Sequence, residues 1–358
     1  MFRKTKAFLS LITAAVMLTS CSLGGGSSSS SSESSLSDDS STTTTRATVT
    51  LPQDNTSVSD ESSQPDEQTH EDITPLMWKV TSGDGHEMTL IGTMHALSDD
   101  CYPLPDRITE RYNAAEVVAC EMDLYAFSKD LTTQLNLTNQ ALYSDSGETI
   151  AQHLSAETVD GLTAFLEKAD GAGTMDKYKK YKPWMLLTVC ETYVVRALGL
   201  DPYKGLDITL STQAHEDGKE VYEVEGADYQ FDMLMNFSDE LYDLLLGGYN
   251  GDSYEAVVEN NREMYAAWKS GDIETVTQLV TGEFDAESKG FENDEQKKLF
   301  EKYAKEMFYD RNTGMADAAE KLLKEHNNTF FMVGLAHFLN EGGIIDLLQK
   351  KGYTVEQI

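Results

Sequence analysis

From Ile73 to Ile358 the apolar residues fall into short bounded runs that alternate with longer stretches of helical spacing. Met77 to Thr81 and Met88 to Ile91 are compact and β-prone, and Ser82-Gly-Asp-Gly85 joins them, which predicts a β-hairpin. Pro105 to Ala115 has helical spacing with a Pro-Asp start, and Val117 to Cys120 then reads as a buried strand ending at Glu121-Met-Asp123. Residues 124 to 204 read as mostly helical, with breaks near Gly147, Asp170 to Gly173 and Pro183, and Tyr181-Lys-Pro-Trp184 opens an apolar helix. Gly205-Leu-Asp207 begins a helix that Gly218-Lys219 closes, and Glu220 to Val224 is a strand ending at Glu225-Gly226. Phe231 to Lys324 forms a second helical stretch whose Met, Tyr and Phe residues are expected mostly in the core. The chain ends with a strand at Phe330 to Val333, a helix at Ile344 to Lys350 and a strand at Tyr353 to Gln357. This βαβ order predicts a largely parallel sheet there.

The pattern repeats one device. Met88-Thr-Leu-Ile91 and Phe330-Phe-Met-Val333 each run into Gly-x-x-His, ending at His95 and His337. A glycine at each strand exit (Gly92, Gly334) lets the backbone turn sharply, and the histidine stands at the carboxyl edge, where open α/β sheets form ligand crevices. The expected fold is therefore α/β: a central mixed, partly parallel sheet in two quasi-repeated halves, with long helical insertions between them.

The N-terminus changes the picture of where this domain works. Basic Met1 to Lys6 precedes apolar Ala7 to Leu18, the layout of a secretory signal, and the run is shorter than the roughly 20 residues of a spanning helix. Leu18-Thr-Ser-Cys21 resembles a bacterial lipobox, which makes residues 1–21 a lipoprotein signal peptide and Cys21 the lipidation site. The chain is then expected to be extracytoplasmic, held to the membrane only by its N-terminal lipid. Residues 22–72 are Ser/Thr-rich and acidic with little to bury, and are expected to be a disordered linker before the domain at 73–358.

Setting aside three signal-peptide bases, ten linker acids and Arg46, the domain holds 51 acids against 24 bases, which argues against nucleic acid as a partner. Of its cysteines Cys101, Cys120 and Cys190, an odd number, at least one must be free. His-Glu-x-x-His, Gly-x-Ser-x-Gly and Walker motifs are missing from the sequence.

The polar groups expected at strand ends are His95, Glu121, Glu225 and His337, with Asp207 opening a helix and Arg311 as a cation. Two imidazoles with one or two carboxylates match the ligand set of a divalent metal, leaving positions for water. A further carboxylate then serves as general base, and Arg311 as an oxyanion stabiliser. The same residues also allow plainer roles: buried histidines without a ligand, Glu121 or Asp207 as helix caps, and Arg311 as an ion-pair partner. His70, His86, His153, His215 and His326 lie in polar contexts and are expected at the surface.

Taken together, Leu90-Ile-Gly-Thr-Met-His95, Cys120-Glu-Met-Asp123, Lys182-Pro-Trp184, Gly205-Leu-Asp207, Glu225, Arg311-Asn312 and Val333-Gly-Leu-Ala-His337 resemble the TraB/GumN family, which includes the Tiki proteins. The resemblance covers residues 75 to 358 and implies a metal-dependent, protease-like activity on a peptide or protein. Manganese or cobalt is favoured, zinc being the third candidate, and His95, His337 and Glu121 are required. Other branches of the family are linked to shutdown of pheromone during conjugation, which keeps open a non-catalytic protein that binds or sequesters peptide. Here the second motif continues Phe338-Leu-Asn-Glu-Gly-Gly343, where the family often has a small residue before its Glu, so Asn340 departs from the pattern.

Overall fold

The computed structural model describes residues 73–285, 291 and 293–358. The expected signal peptide with Cys21, the expected linker at 22–72 and His70 lie outside the described residues.

Six strands form one mixed sheet: β1 (Met77–Thr81), β2 (Glu87–Thr93), β3 (Val117–Cys120), β4 (Glu220–Glu223), β5 (Asn328–Gly334) and β6 (Thr354–Gln357). Their spatial order is β4-β3-β5-β2-β1-β6. The hairpin β1–β2 is antiparallel, with Met77 opposite Ile91. β5 lies parallel between β2 and β3, pairing Thr93 with Gly334 and Cys120 with Met332, and β4 adds in parallel beyond β3. Phe330, Phe331, Met332 and Val333 are all buried, so this central strand reads as an unbroken apolar run. Burying each such side chain contributes roughly 1.5–3 kcal/mol.

The closing strand departs from the expected parallel arrangement. β6 pairs antiparallel with β1, Trp78 facing Gln357, and two strands separate it from β5. It still runs in the direction of β5, as a βαβ crossover requires, but the connection passes over β2 and β1 to reach the free edge.

The helices that bear on the site are α1 (Asp106–Ala114), α2 (Pro183–Ala197), α3 (Leu206–Glu216), α4 (Ala227–Met235), α5 (Asp310–Glu325) and α6 (Ile344–Lys350). Most aromatics of the second helical stretch are core, among them Phe231, Tyr249, Trp268, Phe300 and Phe308. They join the sheet in one continuous apolar cluster. The Trp268 indole also donates to the Gly92 carbonyl at 2.8 Å, tying the insertion to the strand exit. Cys101, Cys120 and Cys190 are all free and buried. Among the described residues no helix is long and apolar enough to cross a membrane.

Candidate active site

Parallel pairing of β2, β5, β3 and β4 in this register brings their carboxyl ends to one edge. His95 follows β2 by two residues, Glu121 follows β3 directly, Glu225 follows β4 by two and His337 follows β5 by three. Gly334 stands at their centre. A methyl group placed on it would lie 3.2 Å from Glu121 Oε1, 3.6 Å from His95 Nε2 and 3.7 Å from His337 Cδ2. The backbone N–H of Gly334 itself donates to Glu121 Oε1 at 2.5 Å.

Each imidazole is oriented through Nδ1 and leaves Nε2 without a hydrogen-bond partner among the described residues. His95 Nδ1 meets Asp207 Oδ2 at 2.5 Å, and Asp207 Oδ1 accepts from the N–H of Ile208. Asp207 thus serves both as the acid in the first turn of α3 and as the anchor of His95. Burial works against a proton on His95, but the Asp207 carboxylate outweighs it and holds the imidazole above its ordinary value.

His337 Nδ1 lies 2.6 Å from Asn312 Oδ1. The Asn312 amide is fixed by its N–H donation to the Gly342 carbonyl at 2.9 Å, so its oxygen faces the ring and the imidazole must carry its proton on Nδ1. Burial, then the charge of Arg311, depresses His337 well below the usual histidine value, which leaves the Nε2 lone pair free. Phe308 stacks against this ring at 5.3 Å between centroids.

Behind Glu121 lies a buried ionic knot. Arg311 Nη2 donates to Glu121 Oε2 and to Glu225 Oε2, each at 2.8 Å, and Nε donates to Glu225 Oε1 at 2.9 Å. Nη1 reaches the Met307 carbonyl at 3.3 Å. Burial opposes the guanidinium charge, but Glu225 and Glu121 more than restore it and raise Arg311 further. Met307 and Phe308 belong to a π-helical turn, Lys305–Tyr309, that leads directly into α5, a backbone irregularity common at functional sites. Neither that turn nor Gln230 was evident from the sequence. Gln230 on α4 donates to Glu225 Oε2 at 2.9 Å and Glu121 Oε2 at 3.2 Å, but it belongs to no short motif.

The sequence candidates His95, Glu121, Asp207, His337, Asn312, Gly92 and Gly334 therefore gather at one edge, with Glu225 and Arg311 just behind. His153 and His215 have more structure around them than a bare surface position implies. His215 Nε2 meets Asp123 Oδ2 at 2.6 Å, and His153 bridges Glu148 and Asp239. Asn340 adopts a left-handed backbone (φ 67°), a conformation asparagine tolerates better than most residues, and its carbonyl accepts from the N–H of Gly343 at 3.1 Å.

The donor set suits a divalent cation in part. Two imidazoles with uncommitted Nε2 atoms, each braced by an oxygen on Nδ1, have the arrangement of metal-ligating histidines. Thr93, whose Oγ1 is buried and unpartnered, lines a void of about 10 Å³ together with Glu121 and Asp207. Glu121 differs, because hydrogen bonds already engage both its oxygens. Among the described residues no three His, Cys, Asp or Glu side chains stand close enough to enclose an ion as placed.

Residues 76–357 match the model of the TraB/PrgY/gumN family. The uncharacterized protein YbaP of Escherichia coli (strain K12) is 26% identical over 161 residues, 45% of this chain and 56% of YbaP. Metalloprotease TIKI1 of Danio rerio is 39% identical over 56 residues, 15% of this chain and 11% of TIKI1. Metalloprotease TIKI2 of the same organism is 26% identical over 164 residues, 42% of this chain and 32% of TIKI2. The chain thus spans about half the length of YbaP and less of the two metalloproteases. No solved structure matches. With the family model matched over nearly the whole described domain, the chain belongs to the TraB/PrgY/gumN family and is distantly related to the Tiki metalloproteases.

Proposed function

We propose that this protein is a divalent-metal-assisted hydrolase of peptide bonds, exported and anchored through lipid on Cys21. The observation that carries the reading is the convergence of His95 Nε2, His337 and Glu121 Oε1 on the space over Gly334. His95 and His337 would hold the ion through Nε2. A manganese, cobalt or zinc ion there supplies Lewis acidity to polarise a carbonyl. Asn312 keeps the His337 lone pair available, and Asp207 keeps the His95 ring aimed. Glu121 stands where it can take a proton from an attacking water, and the Gly334 N–H and Arg311 hold it in place. The Arg311 guanidinium is turned to Glu121 and Glu225 and to the Met307 carbonyl, which suits positioning Glu121 better than binding an oxyanion. Glu225 balances that charge from behind. The exposed rings of Tyr229, next to Gln230, and Tyr309, against Gly342, offer an extended peptide a rim to lie on.

Calorimetry with Mn²⁺, Co²⁺ and Zn²⁺ tests the metal. His95→Ala and His337→Ala should each weaken binding by about a hundredfold, roughly 2.7 kcal/mol. His326→Ala should change nothing, and wild-type protein with no saturable uptake would end the metal reading. Glu121→Gln should retain metal but lose turnover of a fluorogenic peptide library. One observation favours a second reading, a peptide-binding or sequestering protein: both oxygens of Glu121 are already occupied. Stoichiometric peptide binding without cleavage by the metal-loaded wild type would support it.

A further inference from the structure

Gln230 owes its place to the turn that follows β4. The N–H groups of Glu225 and Gly226 both donate to the Glu121 carbonyl at 3.0 Å, which pins the start of α4 to the end of β3. Gly226 makes this turn at φ 88°, which glycine adopts at little cost. Gln230 comes one helical turn later, its own N–H bonded to the Gly226 carbonyl at 3.2 Å.

The Gln230 side-chain amide can face only one way. Nε2 reaches Glu225 Oε2 at 2.9 Å and Glu121 Oε2 at 3.2 Å, and a carboxylate only accepts, so the amide hydrogens face the two acids. Turned over, the amide would set its oxygen against two carboxylate oxygens. Oε1 therefore points away from both acids. No donor among the described residues meets it, and it is not one of the buried atoms left without a partner. It stays open to solvent on a half-buried side chain. Gln230 also lines the void that Glu121 and Asp207 line, and the neighbouring Tyr229 is 47% exposed. A fixed, neutral acceptor thus stands next to the carboxylate read as general base.

We infer that Gln230 is a specificity-determining residue, whose Oε1 accepts a backbone N–H of the bound peptide. Glu121 faces the space over Gly334 through Oε1 and meets Gln230 through Oε2, so this contact falls beside the reacting bond and not on it. The inference rests on the peptide reading of the site: a chain laid across Tyr229 covers this oxygen, and backbone N–H groups taken from water need an acceptor. The substrate so selected is a peptide with a free N–H at that position. A proline, an N-methylated residue or an ester there offers nothing to Oε1 and leaves it covered and unpaired. Gln230 also braces Glu121, so the two duties must be told apart.

The test uses the peptide of a fluorogenic library that the Mn²⁺-loaded full chain cleaves fastest. A set of analogues replaces each backbone N–H in turn by an ester oxygen, the cleaved bond remaining an amide. In wild type at least one replacement should lower kcat/KM by about tenfold. In Gln230→Met the penalty at one such position should shrink to within about twofold, while penalties elsewhere persist. Loss of bracing alone would lower kcat on every peptide by the same factor and leave each ester-to-amide ratio unchanged. That uniform pattern overturns the inference, and so does a wild type that tolerates every ester, a result that needs no variant. If no peptide is cleaved, the same ratios are taken on the dissociation constants of the tightest binder in the library. A Gln230-dependent ester penalty there keeps the contact and ends the hydrolytic reading, whereas a library neither cleaved nor bound ends both.

Discussion

Asn312 sets the state of His337 through one amide oxygen. Replacing it with the nearly isosteric Asp puts a carboxylate on Nδ1 of a buried ring, which favours the imidazolium. Asn312→Asp should therefore move His337 titration upward into the range that histidine NMR follows, whereas the wild-type ring stays neutral at pH 7. The two histidines also have opposite linkage to folding in metal-free protein. His337 is depressed, so below about pH 6.5 the unfolded chain takes up a proton that the folded chain refuses, and stability falls as pH drops. His95 is raised, so its contribution is complete below about pH 6.5 and fades as pH rises through its folded value. Urea midpoints between about pH 5 and 7.5 should show a flatter acid limb in His337→Asn and a steeper one in His95→Asn. At Arg311 the expectation concerns charge. Arg311→Met leaves Glu121 and Glu225, 13% and 7% exposed, facing each other without a cation. The cost should be about 3–5 kcal/mol in urea unfolding. Adding Glu225→Gln should recover part of it, as a double-mutant cycle would show.

The two strand-exit glycines differ in what surrounds them. A Cβ on Gly92 would overlap the Leu335 side chain and stand 2.9 Å from Leu335 Cα, so Gly92→Ala forces β2 and β5 apart. It should destabilise by about 1–3 kcal/mol in thermal or urea unfolding. The three atoms nearest to a Cβ on Gly334 are all side-chain atoms of the site, at 3.2 Å or more. Gly334→Ala should unfold within about 1 kcal/mol of wild type yet weaken metal binding and turnover by more than about tenfold. At this scale the sequence was legible wherever chemistry is local. Both strand–Gly-x-x-His units, the strand before Glu121 and the helix opened by Asp207 carry their signal in adjacent residues. The partner of β6 was hidden, since its mostly exposed residues show no buried periodicity and its pairing depends on a contact some 280 residues away in sequence. Gln230 was hidden for a related reason: a glutamine on a helix gains meaning only from the two carboxylates that folding brings beside it.

At the scale of the molecule, Ile73 and Leu76 are buried ahead of β1, and the Thr74 N–H donates to the Lys269 carbonyl at 2.7 Å. A chain started at Met77 should lose about 3–6 kcal/mol relative to one started at Ile73, from two buried aliphatic side chains. Denaturant midpoints of the two proteins would show it. The position of β5 between β2 and β3 bears on time as well as space. Until Asn328 to Gly334 has been made, the hairpin β1–β2 and the pair β3–β4 have no strand joining them, and His337 has not yet emerged. Every long-range pairing that closes the sheet waits for the last few dozen residues, which places this chain among the slower folders. A ribosome that releases the protein from its N-terminus onward therefore delivers the two outer parts of the sheet before the strand that joins them. The site assembles only on completion, when a late strand slides between two early ones.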